Sequence, residues 1–154
     1  VAHLLAQRPE GEHLVGERMR AMADAGRKIG AARYLAGIES VDAFRRTVTD
    51  AFGRIDLIMT PSAAALPWPA EQPYPETIDG KAVGPRGHAV YSGWVNACGH
   101  PAIALPCAPS REGLPIGFQL VGRFGADELL LEIAQRYESA CPWADRWPAL
   151  VNAA

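Results

Sequence analysis

The residues that could act as nucleophiles in this 154-residue chain are five serines and three cysteines. None of the serines lies in the G-x-S-x-G motif that places an activated serine on a sharp strand-to-helix turn. Cys98 and His100 could form a thiol dyad, but Gly99 between them is predicted to end a helix, which would point the two side chains apart. The sequence therefore predicts no catalytic residue within the chain.

Metal and cofactor motifs are also missing from the sequence. The four histidines show neither H-x-x-x-H nor H-E-x-x-H spacing, and there is no G-x-G-x-x-G or Walker phosphate loop. The acidic pair Asp127 and Glu128 lies at a predicted helix start, where negative charge complements the helix dipole. We therefore expect no metal and no cofactor.

The amino-acid composition of the chain argues against nucleic-acid and membrane partners. The chain is 49% apolar with a net charge of −2, which is typical of a globular protein and lacks the basic excess of a nucleic-acid-binding surface. No apolar run is long enough for a membrane span, and the N-terminus lacks the flanks of a signal peptide. Three cysteines without C-x-x-C spacing favour buried thiols over disulfides or zinc. We expect a cytoplasmic protein with no nucleic-acid or membrane partner.

The first third of the chain is predicted to be helical. Apolar or small residues recur at steps of four and three between residues 12 and 29, which indicates one buried helix face: Val15, Met19, Met22, Gly26 and Ile29. Ser40 is predicted to cap a second helix that Gly53 ends. A short apolar run, Ile55 to Thr60, then predicts a strand covered on both faces.

Residues 61–86 are predicted to form a long loop, because six prolines fall between Pro61 and Pro85 and exclude a long helix or a central strand. Long loops inside compact domains commonly wall a binding site. This one carries Trp68 and Tyr74. These two side chains either pack the loop against the domain or face a ligand.

A helix is predicted from Gly87 to Cys98, with Gly99 at its C-terminal cap and Pro101 preventing its continuation. One face of this helix carries the large apolar residues. The opposite face is small and polar: Ala89, Ser92, Gly93 and Asn96. Such a face allows either close packing against another backbone or contact with a ligand.

Two strands and a helix complete the predicted elements. A strand from Ala102 to Ala108, a turn at Ser110 to Gly113 and a strand from Leu114 to Val121 should pair antiparallel, because the connection is short. A last helix begins near Asp127. The element order predicts an α/β fold in one domain over residues 1–154, with three α/β/α layers and a mixed but incomplete sheet.

The segment from Asn96 to Gly122 reads N-x-x-G-x-P-A, then L-P, then G-L-P-x-G-x-Q-L-V-G, and it resembles the C-terminal portion of the amidase signature family. The resemblance extends upstream to I-D-L-I-M-T-P at Ile55 to Pro61. It extends downstream to the helix at Phe124 to Glu138. In all it covers roughly residues 30–142.

The resemblance implies a small-molecule carboxamide substrate for the intact protein. The family uses a serine, a second serine in a cis peptide and a lysine, and a Gly/Ser-rich segment, which this sequence lacks, supplies the nucleophile and the oxyanion-hole amides. No catalytic residue can be carried over to this chain. The family's pocket wall is carried over instead, which makes six residues candidates for substrate contact: Ala89, Ser92, Gly93, Trp94, Trp68 and Tyr74.

The leading hypothesis is that the chain is the C-terminal part of an amidase-family hydrolase, supplies strands and a pocket wall, and is inactive alone. Its first residue, Val1, favours a chain that continues a longer polypeptide. Two alternatives remain, a non-catalytic interaction module and part of a glutamine-dependent amidotransferase subunit. An incomplete sheet would also expose apolar surface through which two copies could form a homodimer.

Overall fold

The computed structural model describes residues 2–147, which fall into two compact units that divide between Ala43 and Phe44. In chain order the elements are α1 (Ala2–Gln7), a 3-10 helix (Pro9–Leu14), α2 (Glu17–Arg27), α3 (Ala31–Ala51), β1 (Leu57–Pro61), β2 (Thr77–Ile78), β3 (Lys81–Ala82), a second 3-10 helix (Gly87–Ala89), α4 (Val90–Cys98), β4 (Ala102–Pro106), β5 (Gly117–Gly122) and α5 (Asp127–Ala140). Val1 and residues 148–154, which the predicted domain includes, lie outside this description. Among the helices of residues 2–147, none is both long enough and apolar enough to cross a membrane.

The first unit contains a shorter helix than the sequence predicts. Gly16 is extended (φ −59°, ψ 154°), so α2 begins only at Glu17, after the 3-10 helix. The buried residues described in this unit are Leu5 and Ala23, and a Cβ placed at Gly26 would lie 3.8 Å from Ala2 Cβ. Met19 and Met22 keep 45% and 46% of their surface exposed. The prediction that the methionine face is core is therefore wrong for the chain as described.

Ser40 does not cap a helix. It lies in the middle of α3, where its Oγ donates to the Ala36 carbonyl at 2.8 Å. This bond to the preceding turn is the usual alternative for a serine inside a helix. Gly37 nearby costs only about 1 kcal/mol relative to alanine, so nothing in this stretch is strong enough to break the helix.

The second unit is built on a three-stranded sheet in the order β1-β5-β4. Both pairings are antiparallel, with Leu120 of β5 opposite Met59 on one side and Ile103 on the other. The α/β class is confirmed. The prediction of a mixed sheet is wrong for residues 2–147, whose strands form only antiparallel pairs, because β5 lies between the two strands that run in the same direction.

Alternate side chains of β5 contact helices on opposite faces of the sheet, α5 on one face and α4 on the other. On one side Leu120 joins Leu105 of β4 in the buried cluster formed with Leu130 and Ala134 of α5. On the other side Gln119 Nε2 donates to the Tyr91 carbonyl of α4. Helices therefore cover both faces of the sheet, which confirms the predicted three-layer arrangement.

The edge strand β1 is less covered than the sequence predicts. Leu57 packs partly against the α5 cluster, but Met59, two residues further along the same face, is 70% exposed. Ile55 before the strand is 42% exposed. The expectation of a strand buried on both faces is therefore wrong for this chain, because α5 packs on β4 and β5 and leaves the β1 edge open.

The Pro-rich loop contains a small hairpin that the sequence analysis did not predict. Strands β2 and β3 pair through Ile78 and Lys81, and the two residues between them, Asp79 and Gly80, have φ of 50° and 70°. Two consecutive positive φ angles define a type I′ turn, for which Asp-Gly is a preferred sequence. The Asp-Gly pair was thus a usable signal for this hairpin.

Candidate functional site

A concave pocket of about 410 Å³ lies at the end of the sheet where β1 finishes and β5 begins. The strand pairing continues one residue beyond β1, because the Ser62 amide donates to the Gly117 carbonyl at 3.0 Å. We call this hollow the loop pocket; its walls are residues 61–68 and 115–117. Its volume falls in the range of small-molecule sites.

The backbone at Gly117 lies so close to Ser62 and Leu105 that there is no room for a side chain at this position. A Cβ at this position would lie 2.9 Å from Ser62 Oγ and 3.1 Å from the Leu105 carbonyl oxygen. Glycine lets the two segments meet without displacing the backbone of β4. This glycine follows the Leu-Pro pair of the G-L-P-x-G motif, so the motif has a packing function at the pocket.

Trp68 is a fixed wall of the loop pocket. Its indole Nε1 donates to the Gln72 carbonyl at 2.9 Å, and its ring lies 4.9 Å from the His88 ring at an angle of 49°. The backbone fixes the same arrangement, because the Ala64 amide donates to the His88 carbonyl at 2.9 Å. The loop is therefore tied to the 3-10 helix that leads into α4.

Two buried polar atoms in this region have no hydrogen-bond partner among the described residues: Ser62 Oγ and His88 Nδ1. An unsatisfied buried polar group costs about 1–3 kcal/mol, so native structures usually supply a partner or an ordered water. Ser62 also lines the loop pocket. A water molecule or a polar ligand atom could satisfy its hydroxyl.

The six predicted contact residues occupy different places. Trp68 lines the loop pocket, whereas the other five are absent from its walls. Ala89 and Ser92 are half-buried and linked, since Ser92 Oγ contacts the Ala89 carbonyl at 3.4 Å. Gly93 is exposed, and a Cβ placed there meets nothing within 4 Å. The remaining two, Trp94 on α4 and Tyr74 in the loop, are half-buried.

Cys98 and His100 occupy separate structural roles. Burial raises the pKa of the Cys98 thiol, and the opposing effect of the Arg45 guanidinium is smaller. His100 is buried, with Nδ1 donating to the Gly122 carbonyl at 3.1 Å and its ring 4.9 Å from Phe52. A raised pKa keeps the thiol protonated, which is the opposite of what a cysteine nucleophile needs.

Within residues 2–147, no group of three or more His, Cys, Asp or Glu side chains is placed to hold a metal ion. The three cysteines are free thiols, and they range from buried Cys98 to exposed Cys141. The candidate site of this chain is therefore an apolar pocket with backbone amides and one hydroxyl. It can bind and orient a small molecule, but no described residue in it is an activated nucleophile.

This fold matches that of one enzyme family. The sequence matches the Amidase family over residues 6–131. The chain therefore belongs to the amidase family, and its α/β fold is that of the amidase signature enzymes.

Three relatives illustrate the range within the family. A 6-aminohexanoate-cyclic-dimer hydrolase from Pseudomonas sp. (strain NK87) is 47% identical over 57 residues, which are 37% of this chain and 12% of that protein. A glutamyl-tRNA(Gln) amidotransferase subunit from Picosynechococcus sp. is 30% identical over 119 residues, 77% of this chain and 24% of that protein. The crystal structure of a bacterial aryl acylamidase superposes with a TM-score of 0.79 at 26% identity, covering 93% of this chain and 31% of that one.

The chain thus spans less than a third of the length of each of these relatives. Most residues of this chain align with residues of the aryl acylamidase, whereas most residues of the acylamidase align with none in this chain. Family and fold follow from this match. The activity, substrate and partners of a whole protein are matters for proposal.

Proposed function

We propose that this chain is the C-terminal part of an amidase-family hydrolase that acts on carboxamides. In this role it supplies sheet strands and one wall of the substrate pocket, and it has no activity alone. The observation that carries the proposal is the asymmetric match, 93% of this chain against 31% of the aryl acylamidase chain. The protonated thiol and the lack of an activated nucleophile among the described residues support it.

The uncovered apolar surface supports a fold-completing role. In the second unit, Met59 and Ile55 leave 70% and 42% of their surface exposed along one edge of the sheet. In the first unit, Tyr34 and Leu35 leave 63% and 57% exposed. Apolar surface of this kind favours contact with further protein. Further amidase polypeptide is the occupant that the family match supports.

The loop pocket supports a substrate with an apolar or aryl body. Its lining is mostly alanine, proline and leucine around the indole of Trp68, with Ser62 as the polar side chain. Small and aryl carboxamides suit such a wall. We propose Trp68 as the first contact. Further candidates lie on the second 3-10 helix, on α4 and in the loop: Ala89, Ser92, Gly93, Trp94 and Tyr74.

The test is an activity assay with and without the rest of an amidase. The chain alone should show no turnover of acetanilide or hexanamide. A chimera that joins the first two thirds of the aryl acylamidase to this chain should hydrolyse acetanilide. In the chimera, Trp68→Ala should raise KM for the anilide more than for hexanamide, because the aryl group loses its flat wall.

Two results would count against the proposal. One is turnover by the 154-residue chain alone that persists in both Ser62→Ala and Ser92→Ala. The other is a chimera that folds, as judged by its thermal transition, and binds acetanilide but gives no product while the parent acylamidase does.

A glutamine-dependent amidotransferase component is the second candidate. It is favoured by the 30% identity to the glutamyl-tRNA(Gln) amidotransferase protein over 77% of this chain. Amide transfer by such an assembly needs partner proteins, so an affinity-tagged chain expressed in its native cell should retain them on purification. Recovery of the chain without any such partner would argue for the hydrolase.

A further inference from the structure

A second hollow, of about 480 Å³, shares Pro115 and Ile116 with the loop pocket. We call it the Trp-Arg pocket. Its walls come from the β4–β5 connection and the segment after α5: Pro106, Cys107, Pro109, Gly113, Pro115, Ile116, Trp143, Arg146 and Trp147. None of the six predicted contact residues lines it.

The inner wall of the Trp-Arg pocket is anchored to the core. Tyr137 of α5 donates its hydroxyl to the Pro106 carbonyl at 2.9 Å, and its ring meets Phe118 edge-on at 5.2 Å. The Trp143 ring lies 5.7 Å from the same tyrosine. This aromatic stack holds a flat indole beside the proline rings, so the pocket presents a preformed apolar wall.

The mouth of the Trp-Arg pocket carries a positive charge. Arg146 Nη1 donates to the Cys107 carbonyl at 3.3 Å, which holds the guanidinium across the pocket. A guanidinium has five N–H donors, so most of them remain for another acceptor. Among the described residues, no acidic side chain lines the pocket. The site therefore offers a cation whose charge is not neutralised by its own walls.

We propose that the Trp-Arg pocket binds a small monocarboxylate with a flat apolar body. The two tryptophans and the prolines match a planar ring, and the guanidinium matches a carboxylate in the planar, two-point geometry that arginine favours. A cationic amine would be repelled by Arg146, and a neutral amide would lose the charged contact. Apart from Pro115 and Ile116, which both pockets share, this site uses residues outside the proposed substrate wall, and it does not depend on amide cleavage.

The charge contribution should be modest, because Arg146 is exposed. An exposed ion pair contributes under about 1 kcal/mol, so the acid should bind about threefold to fivefold more tightly than its neutral amide. Salt screens such a pair, so this preference should shrink at high ionic strength. The apolar contribution should not shrink with salt.

The experiment is a titration of the ¹⁵N-labelled chain with indole-3-acetate, indole-3-acetamide and tryptamine, followed by NMR. The indole N–H signals of Trp143 and Trp147 and the amides of Cys107 and Ile116 should shift with one saturable curve. The signals of Trp68 and Trp94 should stay in place. The order of affinity should be acid, then amide, then amine.

Variants separate the charge from the apolar wall. Arg146→Gln should abolish the preference for the acid, while the matched change Arg111→Gln, in the exposed β4–β5 turn outside the pocket, should preserve it. Trp147→Ala, at a side chain 64% exposed, should weaken acid and amide alike without loss of folding. Equal affinity for acid and amide at low salt, or shifts centred on Trp68, would overturn the proposal.

Discussion

The centre of the sheet and its β1 edge differ sharply within one small unit. At the centre, Val121 has no exposed surface and Leu130 of α5 has 2%, whereas Met59 at the edge is 70% exposed. Met59 and Leu120 are nevertheless direct partners across the β1–β5 ladder. The residues of β4, β5 and α5 thus form a buried core, whereas apolar side chains next to β1 remain exposed.

This contrast indicates which part of the fold the chain can hold by itself. The buried cluster uses side chains from β4, β5 and α5, which are consecutive elements of the sequence. Strand β1 enters the sheet from a distant part of the sequence and gains cover on only part of its length. Exposed apolar surface of this kind is typical of sites that contact further protein.

The largest expected effect compares the two regions directly. Leu130→Ala should lower the free energy of unfolding by about 3 kcal/mol, because it leaves a cavity in the buried cluster. Met59→Ala should change it by less than about 0.5 kcal/mol, as exposed positions usually do. Urea unfolding of the two variants at low protein concentration measures both values. Equal losses would mean that the β1 edge is buried in solution.

The second prediction compares two glycines at the candidate site. Gly117→Ala should destabilise the chain by about 1–3 kcal/mol, because the new methyl group meets Ser62 Oγ and the Leu105 carbonyl. Gly93→Ala should instead stabilise it by about 0.5–1 kcal/mol, since alanine favours the helix and has free space there. Thermal or urea unfolding gives the two signs. A neutral Gly117→Ala would remove the packing argument for the motif.

The sequence allowed the prediction of elements that depend on local backbone chemistry. Gly99 caps α4 in the left-handed conformation, with φ of 73° and its amide bonded to the Val95 carbonyl. The β4–β5 connection is held by Ser110, whose Oγ accepts the Leu114 amide, and by Gly113 with φ of 80°. Each of these signals lies within a few residues of the feature it determines.

Features that depend on distant partners were harder to predict. The ring contact of Trp68 with His88 and the Arg146 contact with the Cys107 carbonyl both join residues far apart in the sequence. No periodicity encodes such pairs. The burial of the methionine face of α2 could not be predicted for a related reason. An apolar stripe indicates a helix face that packs against other protein, but it does not indicate whether this chain contains the residues that pack there.

The third prediction concerns self-association through the open edge. If two copies pair there, Met59→Lys should lower the fraction of dimer, because a lysine on an edge strand opposes pairing with another chain. The free energy of unfolding should change by less than about 0.5 kcal/mol. Light scattering after size exclusion measures the effect. The matched control Leu131→Lys, on α5 at 62% exposure, should leave association unchanged, and an equal loss there would exclude the β1 edge as the contact.

The smallest expected effect tests whether the thiol of Cys98, the last residue of α4, is buried in solution. Burial raises the pKa of the Cys98 thiol, so the unfolded chain loses this proton at a lower pH than the folded chain does. The stability linked to the protonated thiol is therefore complete below the ordinary thiol pKa of about 8.5 and declines as the pH rises above it. Cys98→Ala should remove that decline. The difference in unfolding free energy between wild type and variant, measured from neutral to alkaline pH, should shrink with rising pH. A constant difference would show that water reaches the thiol.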